Sequence, residues 1–318
     1  MDLIWDAAHA GTCYPSSPQV ARKFFRDALE TLSPDESIPP APPDPVAWIV
    51  PHIDFRVDIS TYASVYRQIA QLGTFPETVY ILGVGHRCPH DFSLCAGSFR
   101  TPLGTVRSNK RIIAGITKSC GLALDRSPES FPGEHSLEFV VIWLQALRDL
   151  FFPGHDFQVV PVLLGGLPEH VIASKPPGPR TAYRRFGRAL MDSYRDHKAT
   201  SLIIASIDGC HVGPRFDHDF PADERIQHAV WNWEIRLWQS CASISLSEYY
   251  LQLGEIRNGF YFDGVGVLTL LLQNRPLEPL LFSRKLWYEK HDQSFVTFTA
   301  GCLRDCGNTV TKGKKSRD

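Results

Sequence analysis

Thr78-Val79-Tyr80-Ile81-Leu82-Gly83-Val84-Gly85-His86 is a short apolar run, interrupted by two glycines and ended by a histidine. The run is too short for a typical helix and too apolar for a solvated turn, so Thr78 to Leu82 reads as a buried strand. The glycines let the chain turn sharply and bring the His86 ring toward a cleft. Val46-Ala47-Trp48-Ile49-Val50-Pro51-His52 repeats the pattern: a core strand over 46–50, a break, then a histidine. Open α/β sheets gather their ligands at such strand ends.

Working outward, the pattern predicts further strands at Phe157–Leu164 (closed by Gly165-Gly166), Ser201–Ser206 and Phe295–Thr299. It predicts a hairpin or edge pair over 93–106. Helices are expected at 18–32, 62–72, 137–151, 183–197, 224–239, 247–253 and 265–272, from apolar spacing near 3.6 residues. Alternating strands and helices predict an α/β fold with a central mixed sheet flanked by helices. Six prolines within 33–45 mark an extended connector. The residues before it are too few for a core of their own, so 1–318 is read as a single domain, with 303–318 as a flexible tail.

Composition narrows the function classes. Hydrophobic residues make up 43% of the 318, enough for a well-buried core. Lys+Arg 33 against Asp+Glu 34 leaves a net charge of -1, which gives no electrostatic reason to expect nucleic acid or an anionic membrane as a partner. No stretch reaches the roughly 18 apolar residues of a membrane span. The N-terminal residues lack the basic and apolar regions of a signal peptide, so the expected location is cytoplasmic. Eight scattered cysteines without a CxxC pair read as reduced thiols. The Trp231–Trp238 segment fits a core helix or an interface, which leaves homo-oligomerisation open.

The chemistry-bearing residues are few. His52 and His86 stand at strand ends, with His90 as the local competitor of His86. Asp263 lies between Phe260-Tyr261-Phe262 and Gly264, where a carboxylate is costly unless paired or bound to a cation; it could also cap the helix that follows. Two histidines and one carboxylate with open positions are the ligand set of mononuclear non-heme Fe(II) oxygenases. Glu134-His135 opens a helix and could cap it or line a site. In Ser206-Ile207-Asp208-Gly209-Cys210-His211 a carboxylate could orient an imidazole as acid/base, or Asp208 could form a turn with His211 exposed.

Ala10-Gly11-Thr12-Cys13-Tyr14-Pro15, Val50-Pro51-His52, Leu82-Gly83-Val84-Gly85-His86, Glu134-His135-Ser136-Leu137-Glu138, Val160–Gly165, Ser206–Gly213 and Gly259–Leu272 together resemble the Memo-like protein family. That family is similar in fold to the class III (LigB-like) extradiol dioxygenases. The resemblance implies metal or pocket roles for His52 and His86 and pocket positions for Asp208 and His211. The family's last pocket residue is usually a cysteine before glycine; here Asp263-Gly264 takes that place, as the extradiol enzymes carry a carboxylate. The resemblance therefore implies Fe(II) held by His52, His86 and Asp263, with copper or zinc as alternatives. It implies O2 and a small aromatic or electron-rich substrate. His211, oriented by Asp208, would serve as acid/base and His135 would contact substrate, with Glu134 beside it. Arg56, where the family has a small glycine-containing stretch, would bind an anionic substrate group. The other reading it carries is a non-catalytic, metal-binding regulatory or adaptor protein; a zinc hydrolase fits the same ligands.

Overall fold

The computed structural model describes residues 3–30, 44–124, 127–243 and 245–306. In chain order its elements begin β1 (Leu3–Asp6), α1 (Pro18–Glu30), β2 (Ala47–Val50), α2 (Ile59–Ala70), β3 (Thr78–Val84), β4 (Phe92–Leu94), β5 (Gly97–Thr101), β6 (Gly104–Ser108) and α3 (Lys110–Cys120). There follow α4 (His135–Phe151), β7 (Gln158–Leu164), α5 (Pro168–Ile172), α6 (Ala182–Asp196), β8 (Ser201–Ser206) and β9 (His211–Val212). The last are α7 (Glu224–Ser240), α8 (Leu246–Glu255), α9 (Val265–Leu272), β10 (Leu277–Glu289) and β11 (Ser294–Asp305).

All strands join one mixed sheet with the path β1-β5-β6-β7-β3-β8-β2-β11-β10; β4 pairs with β7 and β9 with β11. The four most apolar runs form its centre, β7, β3, β8 and β2, all parallel. Parallel strands are covered on both faces and so read as continuous apolar runs. On β3, Val79 and Ile81 enter one core, with α1, α2 and α4, while Tyr80, Leu82 and Val84 enter the other, with α3 and α6 to α9. Pairing of Val50 with Ser206 and of Leu82 with Ala205 brings the carboxyl ends of β2, β8 and β3 level. His52, Asp208 and His86 follow those three ends, each two residues beyond its strand.

The helix over 137–151 begins two residues early, because Glu134 caps it by accepting from Ser136 N. The 93–106 region is an antiparallel hairpin of β5 and β6, with β4 as a separate short strand. Trp233 and Trp238 are core, and Trp231 stacks under the Arg284 guanidinium at 3.9 Å. The expected tail from 303 needs correction. Leu303, Arg304 and Asp305 are rungs of β11 against β10, because Leu303 is fully buried; residues 307–318 lie outside the described residues, as does the connector over 33–43. β1, α3, α5, β9 and β10 were not foreseen. β10 is half-buried throughout and mixes Arg284 and Lys285 with apolar residues. Among the described residues no helix is long and apolar enough to cross a membrane.

Gly83 sets the distance between β3 and the start of α4. A Cβ there would meet Ser136 Oγ at 2.6 Å and Leu137 Cδ2 at 2.9 Å. Gly83→Ala is expected to cost about 1–3 kcal/mol of stability through this overpacking, measured by chemical denaturation. It should also weaken metal binding by separating His86 from His135, whose rings stack at 4.5 Å. Wild-type stability in the variant would show that the approach of the helix to the strand is not tight.

Candidate metal centre

His52 is the most buried of the candidates, 1% exposed, and its contacts are set by the strands on either side of it. Its backbone N–H donates to Asp208 Oδ1 at 2.8 Å, so the residue after β2 is held by the residue after β8. Its Nδ1 faces Ser206 Oγ at 3.5 Å. Its Nε2 lies 3.0 Å from Asp263 Oδ2 and 3.8 Å from Asp208 Oδ2. The other Asp263 oxygen, Oδ1, is buried without a hydrogen-bond partner. A buried imidazole nitrogen and carboxylate oxygens that converge in this way call for positive charge between them, from a proton on the ring or from a metal ion that displaces it.

His86 and His135 form the other wall. Their rings lie 5.1 and 5.0 Å from that of His52, both nearly perpendicular to it. Behind them stands Glu134, 2% exposed. Its Oε1 is 3.0 Å from His86 Nδ1 and 3.4 Å from His135 Nδ1, and the same oxygen accepts from Ser136 N. A carboxylate behind a metal-binding imidazole fixes its tautomer and raises its basicity. With Nδ1 turned toward Glu134, the free donor of each ring is Nε2. Two groups of donor atoms therefore come within 4.8 Å of one another, His52 with His86 and His135, and His52 with Asp208 and Asp263. His52 belongs to both.

The cluster grades from interior to surface. The His86 and His135 side chains are 34% and 33% exposed, whereas His52 and Asp263 are 1% and 10%. A small molecule can thus reach the histidine side while the carboxylate side stays shielded. Electrostatics follow the same gradient. Burial alone would depress the His52 imidazole, but the nearby carboxylates of Asp208 and Asp263 outweigh it and raise its pKa to about 9. Burial pushes the Asp208 carboxyl up, while His52 overcomes burial at Asp263 and holds it low. Burial, then the neighbouring His52 and His86, keep His135 neutral.

Several expected roles change. Asp208 does not orient His211: its Oδ1 is taken by His52 N, and His211 Nδ1 instead lies 3.3 Å from Tyr261 O. His211 is still close enough to the cluster to lower the Asp208 and Asp263 pKa values through its charge. Asp263 is not a helix cap, since Gly264 occupies that position in α9. Glu134, expected at the substrate, stands behind two imidazoles. His135, expected to contact substrate, is also a candidate ligand. Arg56 is 68% exposed and bound to the Asp54 carboxylate. His90 joins neither donor group.

One residue went unread. The His9 ring lies 5.7 Å from that of His135, and its Nδ1 is 3.1 Å from Glu138 Oε2, on the same helix as His135. Glu138 also accepts from Tyr14 OH at 2.6 Å. His9 directly precedes the Ala10–Pro15 segment, but a contact across 129 residues has no local signature.

Residues 6–294 match the Memo-like protein family. The chain belongs to that family. Among similar proteins, a MEMO1 family protein of Thermococcus onnurineus is 27% identical over 277 residues, covering 84% of this chain and 86% of that protein. A MEMO1 family protein of Aquifex aeolicus is 28% identical over 212 residues, 66% of this chain but only 50% of the relative. One from Thermus thermophilus is 25% identical over 277 residues, 87% of this chain and 73% of the relative. A central mixed sheet that places His52, His86 and Asp208 at adjacent strand ends is thus the frame of this Memo-like protein.

Two predictions follow from the cluster. A cation must displace the proton from a His52 imidazole held charged up to about pH 9. Metal affinity should therefore rise with pH from about 6, by about tenfold per unit, and level off above 9; titration at several pH values checks this, and pH-independent affinity would remove His52 from the ligands. Glu134→Gln should lower metal affinity by about 10- to 100-fold with the fold intact, because Glu134 fixes the tautomer of His86.

Proposed function

We propose that the chain is a mononuclear non-heme Fe(II) oxygenase that uses O2 on a small aromatic or electron-rich substrate. The observation that carries this reading is the shielded pairing of His52 Nε2 with the Asp263 carboxylate, 3.0 Å apart, with the half-exposed His86 ring 5.1 Å from that of His52. Two imidazoles and one carboxylate with open positions suit Fe(II). When bound, such an ion would supply a redox-active centre that substrate and O2 can reach together.

The chain's own residues would divide the remaining work. Asp208 fixes the backbone of His52, and Glu134 fixes the ring of His86. His135, held neutral, can accept a hydrogen bond from a substrate hydroxyl or complete the ligand set. His211, with Nδ1 near the Tyr261 carbonyl, leaves Nε2 to take and return a substrate proton. Arg56 is the expected partner for an anionic substrate group. It would have to leave Asp54 to serve as one, so its contribution should be small.

A second reading has its own support. His52, His86 and His135 form an all-imidazole set that also suits copper or zinc, as a metal-binding regulatory protein without turnover would need.

The test is Fe(II) reconstitution under anaerobic conditions, then O2 uptake with catechols and aminophenols. Near-stoichiometric iron with substrate-dependent uptake is expected. Asp263→Ala should abolish iron occupancy, and His211→Ala should keep iron and lose turnover. Iron retained at wild-type level in Asp263→Ala would overturn the ligand set. Copper or zinc bound in preference to iron, with no uptake, would favour the regulatory reading.

A further inference from the structure

Glu138 repeats, one turn along α4, what Glu134 does at its start. Glu134 stands behind His86, with Oε1 3.0 Å from Nδ1. Glu138, buried, stands behind His9, with Oε2 3.1 Å from Nδ1. A carboxylate only accepts, so Nδ1 of His9 carries the shared proton and Nε2 is its free nitrogen. The His9 ring is therefore fixed in tautomer and orientation, as that of His86 is.

The two imidazoles differ in what they can reach. His86 belongs to a group of metal-donor atoms, and His9 belongs to neither group. The His9 ring lies 5.7 Å from that of His135, which itself lies 5.0 Å from that of His52. His9 thus flanks the candidate metal centre on the His135 side without joining it. Its side chain is 27% exposed, close to the 33% of His135, so a small molecule that reaches one can reach the other. Among the described residues Nε2 of His9 has no hydrogen-bond partner, and it is not a buried atom.

Anchoring the N-terminal segment does not require this ring. Glu138 already accepts from the backbone N–H of Ala8 at 2.9 Å, from that of His9 at 3.0 Å and from Tyr14 OH at 2.6 Å. Almost any residue in place of His9 would keep the two backbone bonds. An oriented imidazole that presents an open nitrogen beside a metal centre, yet outside its donor set, is suited to a bound molecule.

We propose that His9 is a substrate-contacting residue whose Nε2 recognises a hydroxyl carried by the substrate outside the part that meets the metal, on the far side of His135. This assignment rests on the oxygenase reading. It narrows the substrate class to aromatic molecules with a hydroxyl-bearing substituent besides the groups that meet the metal. With Nδ1–H given to Glu138, Nε2 accepts a hydrogen bond from the substrate O–H, and a methyl group in that place gives it nothing.

The test is anaerobic calorimetric titration of the Fe(II)-loaded full chain with 3- and 4-methylcatechol and with their hydroxymethyl counterparts. Wild type should bind one of the hydroxymethyl compounds about three- to tenfold more tightly than its methyl partner. Two variants separate the ring nitrogens, because the Asn amide can take the place of Nδ1 and the Gln amide that of Nε2. His9→Asn should keep iron occupancy and melting temperature but lose the preference, and His9→Gln should retain part of it. A wild-type preference in His9→Asn, as a purely anchoring ring would give, would overturn the proposal. So would loss of iron from folded His9→Asn, which would make His9 part of the metal centre. Equal binding of methyl and hydroxymethyl compounds by wild type would overturn this assignment alone. Binding of no catechol by iron-loaded wild type would overturn the oxygenase reading and this assignment with it.

Discussion

A buried imidazole wedged between two buried carboxylates is the constraint on which the rest of this structure depends. Asp208 and Asp263 both approach His52 Nε2, and all three groups are largely withdrawn from water. Two carboxylates in such a place repel one another and lack solvent, so the arrangement is tolerable only with positive charge between them. A proton on His52 supplies it in the metal-free chain, which is why its pKa is raised. A divalent cation supplies it more fully. The parallel order of β2, β8 and β3 exists in the same sense to bring these groups level: a shift of one residue along β2 would turn His52 to the other face of the sheet.

One helix end organises the opposite wall. The first turn of α4 contributes His135 as a candidate ligand, Glu134 behind His86 and His135, and Glu138 behind His9 and Tyr14. Its close seat on β3 at Gly83 makes this possible. Stability and site chemistry are therefore coupled here. The capping interaction of Glu134 with Ser136 N uses the same carboxylate oxygen that steers the histidines, so helix start and metal centre form together.

Much of this was legible in the sequence, for identifiable reasons. The central strands are buried on both faces and so appear as uninterrupted apolar runs, and their ends are marked by glycine, proline or histidine. That was enough to place His52 and His86 at strand ends; in the sheet β8 lies between the two strands. Half-buried edge strands such as β10, with Arg284 and Lys285 in mid-strand, carry no such mark. Pairings across long sequence distances were not legible either. Asp208 and His211 are near neighbours in sequence and invited a pairing, but Asp208 bonds instead to His52, 156 residues away, and His211 faces the Tyr261 carbonyl. Glu134 with His86 and His9 with Glu138 are likewise tertiary facts. The family resemblance pointed to Asp263; the structure groups it with His52 and Asp208, while His86 groups with His52 and His135.

The most direct measurement is X-ray absorption at the iron edge on protein reconstituted with Fe(II) without oxygen. Imidazole scattering together with oxygen ligation, and no sulfur in the coordination shell, is the result this structure predicts. Sulfur ligation, or iron bound without imidazole, would contradict a centre built on His52, His86 and Asp263.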